Sequence, residues 1–228
     1  DRPVTDSILG AENPPLQFPL ERPEYSSPPL VRADLLSDPV AQLAAWLEEA
    51  GAAGNPLPEA MCLSTVGEDG GPASRMVLLK GLQPEGLDFF TCLKSVKAAH
   101  LATDPRACVD FWWSSLHRQV AVGGQVEPLR RKEVEEYFQS RPRGSQVAAT
   151  ASLQSHESPG RRELEERCRE IEARFEGLPI PCPDNWGGFR LAPDRFEFWQ
   201  GREDRLHDRF VYLPSEEAGA WRIKRLDP

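Results

Sequence analysis

Alternation of apolar and polar positions is the dominant pattern along the chain, and it predicts mainly β-strands. Strand-like segments rich in aromatic and β-branched residues recur between polar or glycine-bearing turns. They cover residues 61–66, 73–80, 87–92, 107–113, 119–126, 188–191, 195–200, 209–213 and 221–225. Because strands and helices do not alternate regularly, the pattern argues against a doubly wound parallel sheet. It favours a mostly antiparallel β-barrel decorated by several α-helices.

A helical period appears in four places, at residues 39–51, 95–101, 130–140 and 161–175. The first is the clearest, because Asp38 precedes a proline at the first helical position and Val40, Leu43 and Leu47 then form one apolar stripe. Ser95 is a candidate cap for the second helix. Before residue 37 the density of prolines prevents a helix, so we expect an N-terminal arm over 1–36 and a single domain over 37–228.

Composition narrows the functional classes. The chain has 228 residues with 27 basic and 36 acidic side chains, a formal net charge of -9, which argues against a non-specific nucleic-acid binder. No apolar run approaches the ~18 residues of a membrane span, and the first residues lack the features of a secretion signal. Five cysteines without a C-x-x-C pair predict reduced thiols in a cytoplasmic protein, and four scattered histidines predict no metal site.

Four clusters of cationic and small polar residues are candidates for chemistry. They are Arg75 to Lys80; Thr91 with Ser95 and Lys97; Tyr137, Arg141, Arg143 and Ser145 with Gln154 and Ser155; and Trp199 to Arg209, which includes Arg205 and His207. Hydroxyls, a lysine and a helix N-terminus form an anion site, and arginine offers phosphate a bidentate fork. Charged strand ends, a plain helix cap, solvated arginines and a salt-bridged turn explain the same residues without function, and both interpretations stay open at this point.

The clusters also lack any familiar nucleophile motif, P-loop or dinucleotide fingerprint. A set of anion sites without a nucleophile favours a phosphorylated cofactor that carries the reactive chemistry itself. The protein would then supply position and electrostatics.

These stretches closely resemble the pyridoxine (pyridoxamine) 5'-phosphate oxidase family, whose members are FMN-binding split β-barrels. The matching segments occur in the family's order from about residue 22 to the C-terminus. They are residues 75–80, 90–91, 118–120, 137–146, 154–155, 186–189, 197–201, 205–209 and 225–228. Where the family usually has an arginine before its lysine, this chain has Val96 before Lys97.

The resemblance implies a homodimer with two FMN molecules at the subunit interface, each site drawing residues from both chains. The implied cofactor-binding residues are Arg75, Met76, Val77, Leu78, Leu79, Lys80, Phe90, Thr91, Lys97, Gln119, Gln154, Ser155, Trp199 and Arg209. The implied substrate-binding residues are Arg22, Glu24, Tyr25, Lys80, Tyr137, Arg141, Ser145, Arg205, Leu206 and His207. Arg205 and His207 are the implied catalytic residues, which orient the substrate and stabilise developing charge, and the arm residues can fold over it.

The activity that the resemblance implies is oxidation of pyridoxine 5'-phosphate or pyridoxamine 5'-phosphate to pyridoxal 5'-phosphate. A hydride passes to flavin N5, and O2 is reduced to hydrogen peroxide. Two alternatives stay open at this point: a phenazine-biosynthesis-type FMN oxidase with the same fold, and a non-catalytic carrier of flavin or pyridoxal phosphate. Lys80, Tyr137, Arg141 and Ser145 argue against the phenazine type, since they suit a phosphate ester.

Overall fold

A computed structural model describes residues 24–158, 160–217 and 219–228. These ranges contain nine strands and five α-helices, together with two short 3-10 helices at Arg32–Asp34 and Glu203–Arg205. The strands are β1 Ala60–Val66, β2 Pro72–Leu78, β3 Gly81–Gln83, β4 Gly86–Cys92, β5 Arg106–Trp113, β6 Arg118–Pro128, β7 Trp186–Gln200, β8 Asp208–Pro214 and β9 Trp221–Leu226. The helices are α1 Pro39–Ala52, α2 Val96–Thr103, α3 Arg131–Ser140, α4 Arg143–Ala151 and α5 Arg161–Arg174.

All nine strands belong to one antiparallel sheet, in the order β2-β1-β5-β6-β7-β4-β3, with β8 paired to β7 and β9 paired to β8. β2 and β4 are far apart in this order, yet residues of both line the same cavity. The sheet therefore curls until its distant strands face each other, which confirms the predicted split barrel.

Strand β7 organises this curl, because it pairs with β6 along one edge and with both β4 and β8 along the other. The sequence predicted two strands here, and the structure joins them into one of 15 residues. The register shifts at Gly123 and Gly124 of β6, where a Cβ on Gly124 would lie 2.1 Å from the Ala192 carbonyl oxygen. Glycine is required at that bulge, and the bulge bends the sheet.

Two hydrophobic clusters hold the fold together. The main one fills the inside of the barrel and takes in α1, whose Leu43 and Trp46 are buried, and Trp46 packs edge-on against Phe198. The second joins α3, α4 and the start of β7 through Phe138, Val147 and other residues around Trp186. Because this second cluster stands beside the barrel, α3 and α4 form one wall of the cavity described below.

Several local expectations are confirmed and others are wrong. Asp38 caps α1 by accepting hydrogen bonds from two backbone N–H groups of the first turn. Ser95 stands at the N-cap of α2, but its side chain makes no cap bond. It accepts instead from the Lys97 ammonium at 3.4 Å, so the predicted capping role is wrong. The sequence also missed β3, which is three residues long, and α4, which begins directly after Pro142.

The predicted boundary between arm and domain at residue 36 stays a prediction. The last residues of the arm pack against the domain. Leu30 and Leu35 are only 6% exposed and pack in the main cluster. The Leu30 backbone N–H donates to Asp208 at 3.0 Å, which ties this segment to β8. Within the described ranges, no helix is both long and apolar enough to cross a membrane.

Candidate functional site

A cavity of about 640 Å³ opens where β2 and β4 approach α2, α3 and α4. Many of the sequence-predicted ligand residues line it together. The lining consists of Arg75, Met76, Val77, Leu78, Lys80, Phe90, Thr91, Cys92, Lys97, Tyr137, Arg141, Ala148, Ala149, Ser152, Gln154, Ser155 and Trp186. Four cations thus converge on one concave surface of an acidic protein, so the local field of the cavity is positive.

Lys97 is the most deeply placed of these cations, with 8% of its surface exposed. Its ammonium donates to the hydroxyl of Thr91 at 3.1 Å, to Gln154 Oε1 at 3.0 Å and to Ser95. All three partners are neutral oxygens. Burial, and next the charge of Arg75, lower the pKa of Lys97, because no carboxylate is among its contacts to offset the cost. An anion in the cavity would satisfy this charge.

Arg75 stands next to Lys97 and is anchored by one end of its guanidinium. Its Nη1 donates to the Thr65 hydroxyl at 2.7 Å and to the carbonyl oxygens of Leu63 and Ala73. Burial lowers its pKa. Ser155, which also lines the cavity, has a positive φ of 68°, a conformation that non-glycine residues adopt at a cost and often at ligand sites. Arg75 and Ser155 therefore add polar groups to the cavity that holds Lys97.

Arg141 forms a second cationic centre in the same cavity. Its guanidinium lies over the Trp186 ring at 4.8 Å, and its Nη1 is buried without a hydrogen-bond partner in the described part of the chain. Burial lowers the pKa of Arg141, while the neighbouring Tyr137 acts against that shift. A buried donor without a partner is costly, so its retention is typical of a group held ready for an anionic ligand.

The phenol of Tyr137 is held beside Arg141 by an aromatic stack. The Phe90 ring lies parallel to the Tyr137 ring at 3.9 Å and to the Trp186 ring at 5.4 Å. Gly188 leaves room for this stack, because a Cβ there would come within 2.7 Å of the Phe90 ring. The glycine of this stretch therefore has a packing role that a sequence motif does not reveal.

Four other predicted residues near this cavity behave differently. Lys80 lines it and also forms an ion pair with Glu59 at 3.6 Å. Leu79 is 7% exposed and packs in the core, and Ser145, in the first turn of α4, is not among the lining residues. Arg143 does not converge on this site as the sequence suggested. It donates to Glu172 of α5 and to two carbonyl oxygens that follow this helix.

The remaining predicted cofactor residues lie elsewhere, on the outer face of the sheet. Gln119 of β6 stands directly opposite Trp199 of β7, which in turn stands opposite Arg209 of β8. Trp112 of β5 completes this row on the other side of Gln119 and is 48% exposed. We call these four residues the outer rung. Sequence reasoning missed Trp112, although its place opposite Gln119 in a hairpin was the signal that pointed to it.

His207 lies beside the outer rung, with its ring 4.6 Å from that of Trp199. The Arg202 backbone N–H donates to His207 Nδ1 at 3.1 Å, so the neutral imidazole carries its hydrogen on Nε2. Burial, and next the charge of Arg205, lower the pKa of His207, while Asp208 acts against that shift. His207 is therefore a neutral donor at physiological pH. Arg205 has a positive φ of 61°, and Leu206 is 69% exposed.

The arm reaches the same place. The Tyr25 ring lies 5.8 Å from His207 and 5.9 Å from Trp199, and Glu24 accepts a hydrogen bond from the Asp204 backbone N–H at 3.3 Å. These contacts bring the arm against Trp199 and His207, and the predicted folding of the arm over a ligand stays a prediction. Arg22, the third residue of that predicted set, lies outside the described residues.

The predicted site is thus divided into two parts within one chain. Trp186 in the cavity and Trp199 in the outer rung stand at opposite ends of the 15-residue strand β7. At about 3.3 Å per residue they are separated by roughly 40 Å along the strand. Within one chain, the predicted site residues therefore fall into two separate groups. Among the described residues there is no group of three or more side chains suited to hold a metal ion.

A curled antiparallel sheet with a cationic cavity defines a split-barrel protein that suits phosphorylated ligands. Residues 47–175 match the family described as pyridoxamine 5'-phosphate oxidase, and residues 186–228 match the pyridoxine 5'-phosphate oxidase C-terminal dimerisation region. The chain belongs to the pyridoxine/pyridoxamine 5'-phosphate oxidase family, as its sequence motifs predicted.

Individual relatives agree with this assignment. The chain is 47% identical to the pyridoxine/pyridoxamine 5'-phosphate oxidase of Synechocystis sp. over 91% of its length and 96% of the relative. It is 49% identical to that of Cupriavidus pinatubonensis, with 87% and 93% of the two chains covered. Among solved structures, PhzG from Burkholderia lata in complex with tetrahydrophenazine-1-carboxylic acid superposes with a TM-score of 0.83 at 30% identity, covering 89% of this chain and all of that one.

Proposed function

We propose that this protein oxidises pyridoxine 5'-phosphate or pyridoxamine 5'-phosphate to pyridoxal 5'-phosphate, with FMN as its cofactor and O2 as the final electron acceptor. The observation that carries the proposal is Arg141, whose buried Nη1 lacks a partner in the described chain. It shares the cavity with Lys97, whose polar contacts are all neutral. Two separate cationic centres suit two phosphorylated molecules, a cofactor and a substrate.

The residues of the cavity fit the phosphate of FMN. Arg75 and Lys97 supply charge, while Thr91, Gln154 and Ser155 supply polar side chains beside them. The exposed Val96, next to Lys97, adds no charge, so Lys97 and Arg75 carry this role. When bound, FMN supplies the acceptor for the substrate hydride and passes the electrons on to O2.

The substrate phosphate is assigned to the second cationic centre. Arg141 offers a guanidinium fixed on Trp186, Tyr137 offers a phenol held by Phe90, and Lys80 adds a positive charge at the cavity wall. Ser145 completes the implied set from the first turn of α4. Such a clamp holds the reacting carbon in place, and correct orientation supplies a large part of catalysis.

His207 and Arg205 are assigned to the substrate ring. Because His207 is neutral and carries its hydrogen on Nε2, it donates a hydrogen bond without taking a proton first. Arg205 adds a positive charge that stabilises negative charge developing on the ring. Neither residue acts as a nucleophile.

We further propose that the enzyme is a homodimer in which the cavity of one subunit meets the outer rung of its partner. The match to a family dimerisation region over residues 186–228 supports this arrangement, because that segment carries Trp199, His207 and Arg209. The division of the site along β7 also supports it, since one chain cannot bring Trp186 and Trp199 together. We place the protein in the cytoplasm, because all five cysteines are free.

The first experiment follows the flavin spectrum of the purified protein after reconstitution with FMN. We expect bleaching on anaerobic addition of pyridoxine 5'-phosphate and recovery of the spectrum in air. Unphosphorylated pyridoxine is the matched control and should bleach the flavin far more slowly at the same concentration. Bound flavin that does not respond to the phosphate ester would overturn the proposal.

The second experiment tests the shared site by complementation. Lys97→Met disables the cavity, and His207→Ala disables the outer-rung side. When the two variants are co-expressed in equal amounts, half of all dimers are heterodimers. Each heterodimer has one intact site out of two, so about a quarter of wild-type activity should return. Each variant alone stays inactive. A mixture as inactive as its components would show that each site lies within one chain.

A phenazine-type oxidase remains the second candidate, because the PhzG structure superposes over most of the chain. Arg141 and Tyr137 favour the phosphate ester over a carboxylated tricycle. The same spectral assay with tetrahydrophenazine-1-carboxylic acid decides between them. A third possibility, a non-catalytic carrier, predicts binding of FMN without turnover of either compound.

A further inference from the structure

The outer rung is supported by a second row of residues that the proposed function has not used. This row lies on the same face of the sheet as the outer rung, two residues further along each strand. Its members, which stand opposite one another, are Asp110 of β5, Ala121 of β6, Glu197 of β7 and Val211 of β8. We call them the second rung. Two of its members are carboxylates, and each holds one polar member of the outer rung.

Glu197 holds Arg209. It accepts from Arg209 Nε at 2.9 Å and from Nη2 at 2.6 Å, and Arg195 donates to it at 2.7 Å. Burial opposes these contacts, but the two arginines lower the pKa of Glu197 below its usual range. This carboxylate is a fully compensated ion-pair partner, as expected for a half-buried acid between two cations.

Asp110 differs, because no arginine or lysine of the described ranges forms an ion pair with it. It accepts a hydrogen bond from Gln119 Nε2 at 2.7 Å. Burial, and to a smaller extent the charge of Glu197, raises the pKa of Asp110 to about 6. The hydrogen bond from Gln119 acts against this shift. No cation is among these influences. A half-buried carboxylate without a cationic partner is costly to keep, so a structural role alone explains it poorly.

The chemistry of the contact fixes the orientation of Gln119. An ionised carboxylate can only accept hydrogen bonds, so the group facing Asp110 must be the amide nitrogen of Gln119. The amide oxygen then points away from Asp110. Trp112 and Trp199 stand opposite Gln119 on either side and limit the other positions of its side chain.

We propose that Asp110 is a positioning residue that orients the Gln119 carboxamide, so that Gln119 presents its oxygen to the cofactor as a fixed acceptor. This inference rests on the proposed FMN site. It adds a recognition element: the outer rung offers a hydrogen-bond acceptor at Gln119 and a donor group at Arg209, which suits a planar heterocycle that carries both N–H and C=O groups. An amide free to turn would meet such an edge with the wrong atom part of the time.

The test measures the dissociation constant of FMN by quenching of flavin fluorescence in the full-length protein. Asp110→Leu removes the acceptor, and Asp110→Asn retains an acceptor oxygen but adds a donor beside it. Asp194→Asn removes one exposed carboxylate elsewhere on β7 as the matched control. We expect Asp110→Leu to weaken FMN binding about fivefold, the worth of one oriented hydrogen bond. Asp110→Asn no longer fixes the Gln119 amide, because its own amide can turn to donate or to accept, so it should weaken FMN binding by about two- to fivefold. The control should stay within about twofold of wild type.

A double-mutant cycle separates positioning from general damage. In a Gln119→Leu background, Asp110→Leu should have almost no further effect on FMN affinity, because Asp110 acts through Gln119. Thermal unfolding of each apoprotein checks the fold, and Asp110→Ala replaces the leucine variant if that one does not fold.

The outcomes are distinguishable. Equal FMN affinity of wild type and Asp110→Leu would overturn the inference and leave the proposed function intact. A loss of FMN affinity in Asp110→Leu that persists in full in the Gln119→Leu background would also overturn it, because Asp110 would then act without Gln119. Failure of the wild-type protein to bind FMN would overturn the proposed function itself, and this inference with it.

Discussion

Replacement of Arg141 should reduce activity while leaving the unliganded protein at least as stable as before. The guanidinium is buried against Trp186, and its Nη1 has no partner in the described chain. In Arg141→Met, the side chain keeps its length and its sulfur packs on the same aromatic ring. The variant therefore removes a group whose Nη1 has no hydrogen-bond partner among the described residues and whose charge the proposed substrate requires.

The expected magnitudes follow from these contacts. A hydrogen bond to a charged group contributes ~1.5–3 kcal/mol, so kcat/KM for pyridoxine 5'-phosphate should fall ~10- to 150-fold. In the apoprotein, relief of an unsatisfied buried donor contributes ~1–3 kcal/mol, and loss of the cation–π contact costs ~0.5–2 kcal/mol. The free energy of unfolding should therefore stay the same or rise by about 1 kcal/mol.

Arg143 provides the matched control, because it is a neighbouring arginine whose guanidinium has hydrogen-bond partners. Its donors are occupied by Glu172 and by two carbonyl oxygens. Arg143→Met should lower the free energy of unfolding by ~1–2 kcal/mol and leave kcat/KM within about twofold. Steady-state oxidation of pyridoxine 5'-phosphate and urea unfolding of the apoprotein measure the two effects. If Arg141→Met destabilised the protein as much as Arg143→Met and left kcat/KM intact, the assignment of Arg141 to the substrate phosphate would be wrong.

Three further predictions concern pH and packing. Because burial and the charge of Arg205 lower the pKa of His207, loss of its neutral form should reduce kcat/KM only towards acid pH, and His207→Asn should remove this acid limb from the pH profile. Gly188→Ala places a Cβ 2.7 Å from Phe90, and it should lower the free energy of unfolding by ~1–3 kcal/mol and raise KM through displacement of Tyr137, both measurable on one purified variant. The carboxyl of Asp110 has a pKa of about 6 in the folded state and near 3.8 when unfolded, so its ionisation destabilises the fold as the pH rises from 4 through 6. Asp110→Asn should therefore be more stable than wild type by about 1 kcal/mol at pH 8, and the difference should vanish near pH 4 in urea titrations.

The strands were predictable because alternation records which face of each strand is buried. β1 and β6 show this plainly, with every second residue inside the barrel. The union of two predicted strands into β7 was not predictable, because Pro193 interrupts the pattern and only its partner bulge at Gly124 reveals the continuity. α4 was missed for a related reason: Pro142 and Gly144 are typical of a chain break, yet Pro142 stands just before the first turn, where proline is tolerated.

The site was predictable to a different extent. Spacing alone brought out Arg75, Lys97 and Arg141 as candidate cations, and the family resemblance supplied their roles. The burial of these cations and their hydrogen-bond partners depend on residues distant in sequence, so no local pattern predicts them. Arg141 is buried by Trp186. Likewise, no local sequence pattern marks Asp110 as a partner of Gln119. The register of β5 and β6 brings the two residues together.

In the proposed dimer, the position of the two groups of predicted site residues on β7 would make activity depend on assembly. The cavity uses the start of this strand, and the outer rung uses its end. A flexible connection could bring such groups together in one chain, but a strand paired along both edges cannot fold back on itself. In the proposed dimer, a second copy related by a two-fold axis would place the end of its β7 beside the start of the first, and it would do so twice. The same rigidity that separates the half-sites within one subunit would then hold the flavin and the substrate in fixed relation between two.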